Sequence, residues 1–106
     1  MEPIKAKVYT LLGFAQKSGK IISGTNTVES MIGKPDTKLV ILADDSSDSF
    51  RKHLVFKCNN VEQRYVVFGT KDELGNAIGK SQRAVIIVKD NNIANAISDI
   101  LSNGLA

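Results

Sequence analysis

Lys38-Leu39-Val40-Ile41-Leu42-Ala43 is a continuous apolar run bounded by turn residues. It lacks the polar alternation of a strand with one wet face, so it reads as a strand covered on both sides and placed centrally in its sheet. Ala84-Val85-Ile86-Ile87-Val88 repeats the pattern. These are also the longest apolar stretches of the chain, far below the roughly 20 residues that span a bilayer, so no membrane helix is expected.

Outward from these two runs, helix and strand signals alternate. After the first run, Asp44-Asp45-Ser46-Ser47-Asp48 supplies helix-starting side chains, and Phe50, Leu54 and Cys58 recur at a four-residue spacing. Arg64-Tyr65-Val66-Val67-Phe68 is β-branched and aromatic, hence a strand. Thr70-Lys71-Asp72-Glu73 has the form of a capping box, and Leu74, Ala77 and Ile78 stripe the helix it opens, which Gly79 ends. Ile93, Ala94, Ile97, Ile100 and Leu101 form a terminal helix. On the amino-terminal side, Ile4, Val8, Leu11, Leu12 and Ala15 make one helical stripe, with Pro3 suited to its first turn and Ser18-Gly19 as its stop. Ile21-Ile22-Ser23 suits an edge strand, and a short helix runs from Thr25 to Met31 before Gly33 and Pro35. The order αβαβαβαβα predicts an α/β fold, a three-layer α/β/α sandwich with helices on both faces of the sheet. No repeat, low-complexity stretch or linker divides the chain.

With 106 residues, 42% hydrophobic and 24% charged, the chain suits one domain, residues 1–106, that folds unaided. Cys58 is the only cysteine and His53 the only histidine, which excludes an internal disulfide and any zinc site built on cysteine pairs or several imidazoles. No metal or other cofactor is expected. The stretch Met1-Glu2-Pro3-Ile4-Lys5 has no basic-then-apolar signal pattern, so the expected location is cytoplasmic. Net charge is +3 and the pI about 9.1. Residues 1–35 and 63–90 carry the basic surplus, whereas 36–62 and 91–106 each sum to −1. That alternation is expected where one face or edge meets a polyanion.

Ser18-Gly19-Lys20 after Gly13 invites comparison with a phosphate-binding P-loop. The comparison fails, because five residues rather than four separate the glycines, Ile21 replaces the magnesium-binding hydroxyl, and the glycines end a helix. Asp44, Asp45 and Asp48 cluster as oxygen ligands would, but capping of the following helix explains them better than a cation. Cys58 and His53 do not share a line of their helix, and burial accounts for the thiol. No nucleophile, base and orienting group can be assembled, so no catalytic residue is expected.

Lys20-Ile21-Ile22-Ser23-Gly24-Thr25-Asn26-Thr27 is the most informative stretch. A strand end with a glycine runs directly into a helix start, where free amides and the positive dipole end suit phosphate oxygens. From the residues alone, Asn26 reads first as the helix N-cap, with Glu29 completing a capping box. Its amide, donor and acceptor together, can equally read a purine edge, while Lys20 and Thr25 or Thr27 touch backbone. Gly79-Lys80-Ser81-Gln82-Arg83 has two cations and no acid, and suits either a nucleic-acid backbone or a solvated turn.

Taken together, the chain resembles the ribosomal protein L-seven-Ae superfamily of kink-turn RNA-binding proteins, and is similar in particular to its small bacterial YlxQ-like members. The resemblance is carried by Leu11 to Lys20, Ser23-Gly24-Thr25-Asn26, Leu39 to Asp45, Gly69 to Gly75, Ala77 to Lys80 and Ala84-Val85-Ile86. It implies a four-stranded mixed sheet in an α/β/α sandwich and no enzyme activity. Members grip a sharply bent RNA duplex with tandem sheared G·A pairs through the second helix's first turn and the loop before the last strand. By resemblance those are Gly24 to Thr27 and Gly79 to Arg83. The family's turn reads Gly, any, Asn, Glu, with Lys three places after the Glu. Here Thr27 stands for the Glu and Ser30 for the Lys. A hydroxyl accepts from a guanine edge less strongly than a carboxylate, so base selectivity should weaken more than general affinity.

The expected function is therefore non-catalytic binding of structured, kink-turn-like or ribosomal RNA by a monomer, on the ribosome or in RNA metabolism, with ribonucleoprotein partners and no membrane. The expected contacts are Lys20, Gly24, Thr25, Asn26, Thr27, Ser30, Gly79, Lys80, Ser81, Gln82 and Arg83. The alternative is a protein-interaction module on the same fold, meeting its partner at the Tyr65 edge.

Overall fold

The computed structural model describes residues 3–104, so Met1 and Glu2 of the amino-terminal stretch lie outside the described residues. Its elements follow the expected alternation: α1 (Pro3–Lys17), β1 (Ile21–Ser23), α2 (Thr25–Met31), β2 (Leu39–Leu42), α3 (Asp48–Asn60), β3 (Tyr65–Val67), α4 (Lys71–Ala77), β4 (Val85–Val88) and α5 (Asn91–Gly104). The strands are shorter than their apolar runs because the flanking residues turn away into loops.

The two wholly apolar strands are neighbours at the centre of a four-stranded sheet of order β1-β4-β2-β3. β4 pairs antiparallel with both β1 and β2, and β2 pairs parallel with β3, so the sheet is mixed. Period-two alternation then divides their side chains between two cores. Leu39, Ile41, Ile86 and Val88 point into one, with Val8 and Leu12 of α1, Leu74 of α4, and Ala94 and Ile97 of α5. Val40, Leu42, Val85 and Ile87 point into the other, with Val28 of α2 and Leu54 and Cys58 of α3. Each of these residues is at most 1% exposed, which by area alone contributes about 1.5–3 kcal/mol per large aliphatic side chain. The architecture is the expected α/β/α sandwich.

Cys58 sits in the second core, and burial pushes its thiol up to about 11, far from a reactive thiolate. No described helix is long and apolar enough to cross a membrane. No group of three or more described His, Cys, Asp or Glu side chains is placed to hold a metal ion.

Helix ends show which sequence signals are used. Ser47, not one of the aspartates, caps α3 by accepting from the Phe50 amide, and Asp45 instead accepts from the Lys71 amide at the start of α4. Gly19 ends α1 with φ 71, its amide donating to Gln16 and that of Lys20 to Ala15, the paired bonds of a Schellman motif. The same pattern closes α3, where Glu62 donates to Asn59 and Gln63 to Cys58, yet Glu62 holds φ 56 as a residue with a Cβ. Left-handed backbone disfavours any such residue by roughly 1 kcal/mol. Glu62→Gly should therefore stabilise the fold by about 0.5–1 kcal/mol despite the freer unfolded chain, read as a higher urea midpoint at unchanged slope.

Candidate nucleic-acid interface

β1 ends at Ser23, just before Gly24, and β4 begins at Val85, two residues after Arg83, and their antiparallel register sets Ser23 opposite Ile86. The two segments singled out from the sequence therefore meet at one end of the sheet. Between them lies a cavity of about 230 Å³ lined by Ser23, Gly24, Thr25, Gln82, Arg83, Ala84 and Val85.

On the turn side, Gly24 is the N-cap residue of α2, with φ 104 and no side-chain hydrogen bond to the helix. This corrects the reading of Asn26 as the cap. Asn26 lies inside the first turn of α2, and Thr25, Asn26 and Thr27 are all exposed. Glu29 completes no capping box, since its carboxylate meets His53 Nε2 at 2.8 Å and Lys57 Nζ at 3.9 Å on α3. With the capping role removed, the Asn26 amide has no partner among the described residues. Ser30 Oγ donates back to the Thr27 carbonyl at 2.8 Å.

On the loop side, most polar side chains are already occupied. Arg83 Nε donates to Ser23 Oγ at 3.1 Å, and Nη1 donates to Ser81 Oγ at 2.9 Å and to the Ser81 and Gln82 carbonyls. Arg83 thus ties the loop to β1. Gln82 Nε2 donates to Asp72 Oδ1 at 2.6 Å. Lys80 follows Gly79 at φ 71 and is exposed; its backbone amide donates to the Gly75 carbonyl at 2.8 Å, while its ammonium has no hydrogen bond among the described residues. Ser23, Asp72 and Gly75 are supports that the sequence reading did not count among the contacts. Only Gly75 carries a signal, as a glycine inside a helix, where alanine is ordinarily favoured.

Lys20 is not part of this gathering. It precedes β1, so four extended steps, roughly 13 Å, separate it from Gly24.

The helix beneath the loop is anchored at its start. Thr70 Oγ1 accepts from the Glu73 amide and Glu73 Oε1 from the Thr70 amide, both at 3.1 Å, completing the expected capping box. Glu73 also accepts from Tyr9 Oη at 2.9 Å and meets Lys5 Nζ at 3.2 Å, joining α4 to α1. The Tyr9 hydrogen bond, helped by Lys5 and the Thr70 amide and opposed by partial burial, holds the carboxyl below its ordinary range.

The family described as "Ribosomal protein L7Ae/L30e/S12e/Gadd45 family" matches residues 6–98. The chain is 34% identical over 93 residues to the RNA-binding protein YlxQ of Bacillus subtilis, covering 88% of this chain and 93% of that protein. It is 31% identical over 90 residues to the large ribosomal subunit protein eL8 of Thermoplasma volcanium, covering 84% and 74% respectively. A solved structure of a protein of unknown function from Bacillus halodurans C superposes with a TM-score of 0.86 at 32% identity, covering 92% of this chain and 98% of that one. The Giardia lamblia 15.5kD RNA binding protein superposes with a TM-score of 0.77 at 23% identity, covering 97% and 88%, a likeness of fold.

Two outcomes test the supports of this site. A Cβ on Gly75 would overlap the Ser81 carbonyl, so the backbones of α4 and the loop must part to admit one. Gly75→Ala should cost about 1–3 kcal/mol in denaturation and shift the amide resonances of residues 79–83, whereas a gain in stability would show that the close approach is not needed. For Glu73, a folded-state pKa below the unfolded one gives stability that is full above the ordinary carboxylate value and is lost as pH falls through the lowered one. Wild type should therefore lose its thermal advantage over Glu73→Gln as the pH is taken from 7 to 3.

Proposed function

The chain belongs to the ribosomal protein L7Ae/L30e/S12e/Gadd45 family, and we propose that it binds a bent, kink-turn-like RNA at the end of the sheet where Gly24 to Thr27 faces Gly79 to Arg83. It is not an enzyme, since the family is one of non-catalytic RNA-binding and ribosomal proteins. The observation that carries the proposal is the exposed Asn26 amide, released from capping by Gly24 and set beside a cavity lined by the loop. Its donor and acceptor can pair with a purine edge at a displaced base pair. Thr25 and Thr27 hydroxyls and Lys80 reach the flanking phosphates. Arg83, Gln82 and Ser81 serve chiefly by holding the loop, because their side chains are already hydrogen-bonded. Ser30 is turned back on its own helix and Lys20 stands at the other sheet end, so neither belongs to this contact.

The site needs one copy of the chain, which acts as a single domain and a monomer. Ribosome association and ribonucleoprotein partners are supported by the names of the relatives, and a cytoplasmic location belongs to the same proposal. A second reading has its own observation. Phe56 is 65% and Val67 43% exposed, and both line a cavity with Val55 and Tyr65 on the outer edge of β3, as a protein-docking surface would require.

A mobility-shift titration against a kink-turn RNA and a control without its G·A pairs decides between them. The kink-turn RNA should bind more tightly, and Asn26→Ala should weaken it by about 1–3 kcal/mol, roughly five- to 150-fold, with the control nearly unaffected. Equal affinity for the two RNAs would sink bent-RNA recognition. Unchanged binding by a normally folded Asn26→Ala would favour the β3 edge as the working surface.

A further inference from the structure

Every strand of the sheet carries a cation at the end away from the Gly24 turn. β1, β2 and β3 run one way and β4 the other, so the residues preceding the first three and following the fourth lie together. Across the sheet these are Lys20, Lys89, Lys38 and Arg64. Adjacent strands are roughly 4.8 Å apart, and the backbone hydrogen bonds continue here. Lys89 N–H donates to the Lys20 carbonyl at 2.8 Å, Lys38 N–H to Val88 at 3.0 Å, and Val40 N–H to Arg64 at 3.1 Å. Lys17 closes α1 just before β1, and Lys34 lies on the loop leading to β2.

Among the described residues, the carboxylates next to these strand ends in sequence are Asp36, Glu62 and Asp90, and Asp90 is occupied in accepting from the Ile93 amide. None of the six cations forms an ion pair among the described residues. The surplus of cations over carboxylates here equals the net charge of the whole chain, +3, so the rest of the sequence is balanced. Lys38 Nζ donates to the Pro35 carbonyl at 2.7 Å, and Arg64 donates to the Lys38 carbonyl at 3.1 Å and to Asn95 Oδ1 at 2.9 Å, but like charges opposed across strands destabilise a sheet and these neutral acceptors inside the fold do not cancel that repulsion. A polyanion outside it would. Lysine is depleted at protein–protein interfaces, and an extended cationic row suits a phosphate backbone.

We propose that this sheet end binds the phosphate backbone of a second RNA segment, so that the domain holds RNA at both ends of its sheet. The identity of the ligand rests on the RNA reading of the Gly24 turn, while the surface itself does not.

The test uses Lys20→Gln/Lys34→Gln/Lys89→Gln, three lysines whose ammonium groups carry no hydrogen bond among the described residues, with a plain RNA duplex and a kink-turn RNA as probes. The slope of log affinity against log salt should fall by about two to three units on both RNAs, roughly one for each phosphate no longer neutralised. Single Lys20→Gln and Lys89→Gln variants should each lower it by about one, and the melting temperature should hold or rise as repulsion is relieved. Asn26→Ala should leave the plain duplex unaffected. If Asn26→Ala also spares the kink-turn RNA, the turn reading fails while the lysine effect still supports this surface. An unchanged slope and affinity in the triple variant would overturn the proposal. So would unchanged RNA binding accompanied by abolished binding of polyglutamate, which would assign the row to an acidic protein.

Discussion

The antiparallel pairing of β2 with β4 is the constraint on which the rest of the molecule depends. Both strands are buried on both faces, and their alternate residues feed two separate cores. A slip of one residue would exchange the side chains offered to the two helical layers, so the register is fixed by packing as well as by hydrogen bonds. From that register the candidate site follows. β4 cannot move without carrying the loop at its start, and β1, paired on its other edge, brings the Gly24 turn beside that loop. The geometry proposed to grip RNA thus rests on buried aliphatic side chains that touch no ligand.

Within the site, positioning and contact are divided between residues of similar chemistry. Arg83 looks from its charge like a phosphate ligand, yet its guanidinium is spent on Ser23, Ser81 and Gln82. Lys80, the weaker candidate by geometry of donors, is the one left exposed. A pre-organised loop gives up little conformational freedom on binding, and holding Gln82 on Asp72 serves the same end. Thr27, with a hydroxyl in place of a carboxylate, would be a poor base reader, so in the proposed contact Asn26 would be the main source of selectivity.

Much of the fold was legible in one dimension because burial writes a local signature. Continuous apolar runs marked the two central strands, the Thr70-Glu73 spacing marked the capping box, and the helical stripes marked which faces pack. The site was less legible because its contacts are long-range. Nothing in the spacing of residues shows that Arg83 bonds Ser23, sixty positions away, or that Asp45 caps a helix starting at Lys71. Which of Gly24, Thr25 and Asn26 caps α2 turned on the backbone angle at Gly24, which composition does not encode. Segment charges misled in the same way. Lys38 falls in a stretch of net negative charge, and only the strand order β1-β4-β2-β3 sets it between Lys89 and Arg64.

The missing cap on α2 is the strongest reason to regard its first turn as shaped by something outside the fold. Ser47 caps α3, Thr70 caps α4, and Asp90 accepts from the third amide of α5, so the chain supplies a side-chain cap at each of these helix starts. Such a cap is worth about 1 kcal/mol over alanine and a few tenths over glycine, and serine or asparagine at position 24 would be its simplest source. Position 24 instead holds glycine at φ 104, an angle that side chains with a Cβ resist, and the polar residues follow one step too late to cap. Thr25, Asn26 and Thr27 therefore point their hydrogen-bonding groups at solvent from a helix start whose amides they leave free. Polar groups left without an internal partner at one helix start, where three others supply a side-chain cap, are what the proposed RNA contact would satisfy.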